Sequence, residues 1–191
     1  MSENGANVLS VGVGGQGIIL LSNVLSEAAF LAGHDVKKSE IHGMSQRGGS
    51  VTSHVRWGAK VHSPVIMDGE ADFLVALEEL EALRYAHTLK PAGRILVNDF
   101  RVLPASVVSG KAEYPADIDG RLRQYGQVER IAALEIANQA GEARASNLVI
   151  LGVLSRYLDF AEEVWIKAIG KHVREKFREA NVKAFRAGRG A

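Results

Sequence analysis

The stretch Val8-Leu9-Ser10-Val11-Gly12-Val13-Gly14-Gly15-Gln16-Gly17 joins an apolar run to a cluster of four glycines. Val8 to Val11 is a short β-prone run that stops at a glycine cluster. Beyond it Ile18, Leu21, Leu25, Ala28 and Ala32 recur at helical spacing, and Gly33 stands where a C-terminal glycine belongs. Strand, glycine turn and helix in that order point to an α/β fold. Gly12 to Gly17 also satisfies GxGxxG, in which glycines let the backbone approach a phosphate at a helix N-terminus. Two readings stand: a bound nucleotide or other phosphate, or a tight turn with close packing. A nucleotide would need an acid at the end of the second strand. Asp35 precedes that strand and Glu40 follows Lys37-Lys38, so neither is well placed.

The alternation continues outward. Val36 begins a second strand, His42 to Gly49 reads as a loop, and Ser50 to Trp57 as a third strand. A turn at Gly58-Ala59 with a return strand toward Val65 is expected next. Phe73 to Leu77 reads as a buried strand, and Glu78 to Leu89 as a helix with acids in its first turn. Pro91-Ala92-Gly93 ends that helix, and Ile95 to Val97 is the next strand. Residues 104–125 have no usable period. Val128 to Ile131 is a last strand, and helices follow near 134–140, 147–158 and 161–187. The fold class is therefore α/β: a mostly parallel sheet covered on both faces, with a helical C-terminal cap, as one domain over residues 1–191.

Composition removes whole classes of function. The 191 residues are 47% apolar, which suffices for a real core. Lys plus Arg number 23 against 22 acids, a net charge of +1 that gives no reason to expect a nucleic-acid partner. With no cysteine, disulfides, thiolate nucleophiles and cysteine-held clusters are impossible within the chain. No apolar run is long enough for a membrane span, and Met1-Ser2-Glu3-Asn4-Gly5 lacks signal-peptide features. A cytoplasmic location is the expectation.

The most unusual segment is Glu40-Ile41-His42-Gly43-Met44-Ser45-Gln46-Arg47-Gly48-Gly49-Ser50. It packs polar groups between glycines just after a strand end, where open α/β sheets place ligands. Arg47 offers a fork for a carboxylate or phosphate. His54 and Arg56 then alternate along the next strand and share a face. The plain alternative is a surface loop with solvated charges.

The ordered set Val11 to Gly17, Glu40 to Val51 and His54-Val55-Arg56 resembles the gamma-type subunit of the 2-oxoacid:ferredoxin oxidoreductases, the indolepyruvate type in particular. The likeness continues through Gly69-Glu70-Ala71-Asp72, Glu81-Ala82-Leu83, Asn147-Leu148-Val149 and Asn181-Val182-Lys183-Ala184-Phe185. Residues from roughly 100 to 130 carry little of it.

The resemblance implies a three-layer Rossmann-like fold and a subunit that is inactive alone. Such enzymes oxidatively decarboxylate a 2-oxoacid, here an aryl one, pass the acyl group to coenzyme A and deliver electrons to ferredoxin. Thiamine diphosphate, Mg and iron–sulfur clusters are then expected on a larger partner subunit, not on this chain. An isolated chain is expected to be able to form a homodimer. Carried over by position, Gly12, Gly14, Gly15, Gln16 and Gly17, with Gln46, Arg47, Gly48, Gly49 and Ser50, are the candidates for lining the shared site. Arg47, His54 and Arg56 are candidate contacts for a carboxylate or a coenzyme A phosphate. The rival is a stand-alone nucleotide-binding module or an NAD(P)-dependent oxidoreductase.

Other signals carry less. Met67-Asp68-Gly69 with Asn98-Asp99 imitates a thiamine diphosphate motif, but the first glycine and the second asparagine are missing. His34, His42, His54, His62, His87 and His172 show no metal-ligand spacing, and no serine sits in GxSxG. No catalytic residue is assigned. Asp68, Glu70, Asp72, Glu78, Glu79 and Glu81 read as a solvated helix start and loop. The C-terminal stretch from Lys167 to Arg189 reads as a solvated basic face or a dock for an acidic partner. Val164, Ile169, Val173 and Phe177 form its apolar side.

Overall fold

A computed structural model of the protein describes residues 5–43 and 48–191. Its six strands are β1 (Ala6–Val13), β2 (Asp35–His42), β3 (Ser50–Gly58), β4 (Ala71–Ala76), β5 (Leu89–Asn98) and β6 (Gln127–Ile131). They form one sheet in the order β2-β3-β1-β4-β5-β6. β1, β4, β5 and β6 pair in parallel, while β3 runs antiparallel to both β1 and β2. Five strands thus share one direction and β3 alone is reversed. The mostly parallel sheet expected from the sequence is present.

Period-two side-chain alternation makes both faces of the sheet apolar, so both must be covered. Val8 of β1 packs toward α1 (Ile18–Leu31) and α5 (Ala133–Gln139), α6 (Ser146–Ser155), α7 (Glu162–His172) and α8 (Glu175–Arg189). Leu9 and Val11 face the other way, toward α2 (Glu79–Tyr85) and α4 (Ile118–Leu122). A short α3 (Ala105–Val108) lies in the β5–α4 connection. Gly33 ends α1 in the left-handed region, with φ +91° and its N–H on Phe30 O at 2.9 Å.

The cap is packed on α6, whose residues from Asn147 to Ser155 are all buried. Two glycines allow α8 to lie against it. A Cβ on Gly152 would collide with Phe185 O, and one on Gly188 with Val149 O. Phe160, Trp165 and Phe185 fill the adjoining space with ring centroids 5.6 Å apart in each successive pair.

Several expectations are corrected. Residues 59–70 form no return strand. Their main chain is held by side chains instead: Val61 N–H by Asp35, Val65 O by Arg56 and Ile66 N–H by His54. The helix expected over 78–89 is a shorter α2 followed by a 3-10 turn at Ala86–Thr88. Pro91-Ala92-Gly93 does not precede β5 but lies inside it, where the register against β4 shifts and Ala92 adopts φ +64°. The helix expected over 161–187 breaks into α7 and α8, because Val173 is extended (φ −104°, ψ 131°). That break buries Ile169 and Val173 but leaves Phe177 exposed beneath Lys176.

Candidate functional site

The glycine turn sits at the C-terminal end of β1, and the end of the polar loop lies directly on it. Gly14 donates its N–H to Gly49 O at 2.8 Å, and Gly48 donates to Gly14 O at 3.5 Å. These bonds continue the β1–β3 ladder one step past the Val13–Ser50 pair. Two segments 34 residues apart, Gly14 and Gly48, are thereby joined by backbone alone. Gln46 and Arg47 lie outside the described residues.

Inside the turn each glycine has a separate reason. Gln16 folds back so that its Oε1 accepts Val13 N–H at 2.7 Å and its Nε2 donates to Leu77 O at 3.2 Å. A Cβ on Gly12 would stand 2.7 Å from that Oε1 and 3.1 Å from Leu77 Cβ. Gly17 opens α1 at φ +83°, and its carbonyl accepts Asn147 Nδ2 at 3.0 Å. A Cβ there would lie 2.5 Å from the same nitrogen. Gly15, at φ +104°, is exposed, and a Cβ on it would meet nothing within 4 Å. The turn is packed at Gly12 and Gly17 and open at Gly15.

Ser50 begins β3 and donates its hydroxyl to the Glu81 carboxylate of α2, with Tyr85 OH 3.4 Å away. His54 and Arg56 share a face, as the alternation implies, but they stand further along β3. His54 is opposite Leu9 and Arg56 opposite Asn7, toward the other end of the sheet from Ser50. Both are engaged by the segment 61–70. His54 is buried, and its Nδ1 accepts Ile66 N–H at 3.2 Å, so the proton resides on Nε2 when the ring is neutral. Burial, aided by the Arg56 charge, lowers the His54 pKa below 6.5. Arg56 donates to Asn7 Oδ1 at 3.0 Å and Val65 O at 2.7 Å, with Glu70 3.6 Å away. The structure brings the turn and Gly48–Ser50 together, and it places His54 and Arg56 in a second group.

The acidic stretch is the largest departure from expectation. Asp68 and Glu70 are exposed, but Glu78, Glu79 and Glu81 are buried. Glu78 caps α2 by accepting Glu81 N–H at 2.9 Å, and its other oxygen takes Val102 N–H at 3.0 Å and Tyr114 OH at 3.3 Å. Burial and the facing carboxylates push the Tyr114 pKa up to about 12. Glu79 pairs with Arg101 at 3.0 Å and Arg130 at 2.6 Å. Arg130 is held charged chiefly by its bond to Asp119, and it also reaches Asp99 at 2.9 Å. Buried carboxylates persist only with such partners. Sequence alone showed the acids; the arginines that pair with Glu79 come from distant segments.

Two cofactor readings can be tested on these positions. In a dinucleotide site the second strand lies next to β1 and offers its acid there. Here β3 intervenes, so β2 stands two strand spacings, about 10 Å, from β1. Asp35 and Glu40 are also bonded to Lys37 at 2.7 Å and to Lys38, respectively. The thiamine-like residues do not fit that cofactor. Asp68 precedes β4 at one end of the sheet, whereas Asn98 ends β5 at the other. Asn98 is occupied by Leu77 O at 3.3 Å and Ala133 N–H at 3.2 Å. Among the described residues no three His, Asp or Glu side chains are grouped to hold a metal ion. No helix is long and apolar enough to cross a membrane, among the described residues.

Residues 7–191 match the family described as pyruvate ferredoxin/flavodoxin oxidoreductase. The chain is 42% identical over 187 residues to the indolepyruvate oxidoreductase subunit IorB of Archaeoglobus fulgidus, covering 95% of this chain and 92% of that one. Against IorB of Thermococcus kodakarensis the identity is 36% over 194 residues, with 95% and 93% covered. The fold matches the crystal structure of a keto/oxoacid ferredoxin oxidoreductase gamma subunit from Geobacter sulfurreducens with a TM-score of 0.71 and 26% identity, over 96% of this chain and 95% of that one. With sequence and fold matched over nearly the full length, the chain belongs to the pyruvate ferredoxin/flavodoxin oxidoreductase family, as a gamma-type subunit of an indolepyruvate or related 2-oxoacid ferredoxin oxidoreductase.

Proposed function

We propose that this chain completes the active site and the coenzyme A approach of an indolepyruvate-type enzyme whose redox centres sit elsewhere. The overall reaction oxidatively decarboxylates an aryl 2-oxoacid, with the acyl group passing to coenzyme A and the electrons to ferredoxin. The absence of cysteine supports placing the iron–sulfur clusters on a larger subunit. Thiamine diphosphate and Mg are assigned to that subunit as well, since Asp68 and Asn98 stand at opposite ends of the sheet. In this reading the chain is cytoplasmic, inactive by itself, and able to pair with a second copy when isolated.

The observation that carries the site assignment is the Gly14–Gly49 bridge, which seats Gly48 and Gly49 on a turn that is open at Gly15, at the ends of the parallel strands. Gly12, Gly14, Gly15, Gln16, Gly17, Gly48, Gly49 and Ser50 are assigned to the wall of the shared site. Gln46 and Arg47 belong to the same loop, and Arg47 is the proposed contact for a carboxylate or coenzyme A phosphate. His54 and Arg56 act by fixing the segment 61–70 toward the opposite end of β3.

Purification of the native complex tests this directly. A thiamine-containing larger subunit is expected to co-purify, with activity toward indolepyruvate exceeding that toward pyruvate, 2-oxoglutarate or branched-chain oxoacids. Recovery of the chain without such a partner would defeat the proposal. For the site itself, Arg47→Ala in the assembled enzyme is expected to raise KM for the oxoacid or for coenzyme A; unchanged kinetics would remove Arg47 from it.

A further inference from the structure

Glu81 departs from the usual behaviour of an acid in the first turn of a helix. A glutamate three residues after the N-cap ordinarily reaches back to cap the helix start. In α2 only one half of that reciprocal pair is made: Glu78 accepts the N–H of Glu81, while the Glu81 side chain turns toward β3. One oxygen accepts Ser50 Oγ–H from β3, and the other accepts Nε–H of Arg84, one turn further along α2, at 3.0 Å. The carboxylate is buried, so these bonds replace the water it has lost.

The Ser50 link closes a circuit around the glycine turn. Gln16 ties the turn to Leu77 O, Leu77 leads into Glu78 and α2, and Glu81 returns the connection to Ser50. Ser50 follows Gly48 and Gly49, whose backbone meets Gly14. Gly48 and Gly49 bring no side chain of their own to hold this approach. The side-chain anchor of the loop's end is therefore Ser50, and the anchor of Ser50 is Glu81.

We propose that Glu81 is a positioning residue: through Ser50 it sets the register of Gly48 and Gly49 on Gly14, and with it the aim of the exposed backbone at Gly15. The inference rests on the reading that this turn lines the coenzyme A approach.

The test uses the enzyme assembled with its larger subunit and five variants of this chain. Glu81→Ala and Ser50→Ala each remove the same hydrogen bond and should each raise KM for coenzyme A by about tenfold, the worth of one such bond, with kcat changed by no more than about twofold. The double variant should be no worse than either single one, because a shared interaction is lost only once. Glu81→Gln keeps an acceptor for Ser50 and should stay within about twofold of the parent. Ser50→Ala deletes a single atom, so the test survives if Glu81→Ala does not fold. Independent, additive effects, or an unchanged KM in both single variants, would overturn the proposal. Gly15→Ala, whose Cβ enters open space but whose φ of +104° strains any residue with a Cβ, perturbs the turn directly and so separates the two levels. If it raises KM while Ser50→Ala does not, the positioning role fails and the site reading stands; if neither moves KM, the site reading fails too.

Discussion

Single residues at the turn bear different loads. Gly17 combines a left-handed backbone with a side chain pressed against it, so Gly17→Ala should strain φ and displace Asn147 from the Gly17 carbonyl. The two costs together are about 2–3 kcal/mol, which for a chain of this size lowers the melting temperature by about 4–12 °C. A thermal unfolding curve within 1–2 °C of the parent, about the effect of a neutral surface change, would contradict this packing account. Gly15→Ala would share the strain of a positive φ but not the clash, because nothing stands in its way. GxGxxG spacing was legible in the sequence, but not which glycines face protein and which face outward. That distinction depends on Gln16, Leu77 and Asn147, the last 130 residues away from Gly17.

His54 belongs to the same scale. Its pKa is lowered below 6.5 on folding, so below that pH the unfolded chain binds a proton that the folded one resists. Stability is then fully present above pH 6.5 and falls as pH drops, by at most about 1.4 kcal/mol per pH unit. Urea unfolding at pH 7.5 and 5.5 should show this loss, and His54→Gln, which keeps an acceptor for Ile66 N–H, should reduce it. An equal loss in both proteins would mean that His54 does not carry it.

At the scale of elements, α6 is set by glycine pairing with the amphipathic α8 more than by any amphipathic pattern of its own. α6 is buried on every side, so no solvent stripe orients it. Gly152 and Gly188 do so by letting backbone meet backbone. Gly152→Ala should cost about 3 kcal/mol or more, since the obstructing atom is a carbonyl that cannot rotate away, and the melting temperature should fall by about 6 °C or more. A smaller change would show that α8 can slide. The helix over 147–155 was readable from its apolar run, although it ends three residues short of the expected 158, whereas the break at Val173 and the strand start at Leu89 were not. Both are tertiary compromises: one turns α8 back onto α6, the other absorbs a register shift within the β4–β5 pair.

For the whole molecule, strand order matters more than motif. β3 lies between β1 and β2, and the loop before β3 is bonded onto the glycine turn. NAD or NADP at millimolar concentration should therefore leave the melting temperature unchanged, since a ligand that binds the folded state would raise it. A rise of several degrees would restore the nucleotide-binding reading. The buried acids of α2 make the same point. Glu78, Glu79 and Glu81 fasten α2 to Val102, Tyr114, Arg101, Arg130 and Ser50, and no local spacing predicts that set.

Sequence by itself determined the class of fold, because strand and helix periods and the glycine turn are local properties written in consecutive residues. It also determined that no thiolate-held cluster can reside here, since composition alone decides that. It carried the family resemblance through an ordered set of short motifs, the clearest being the turn and the polar loop. Only the tertiary structure decided that these two segments touch, that His54 and Arg56 stand apart from them, and that three acids are buried. Those outcomes depend on which distant groups arrive to satisfy a hydrogen bond or a charge, and burial makes such pairing compulsory without naming the partner in the local sequence.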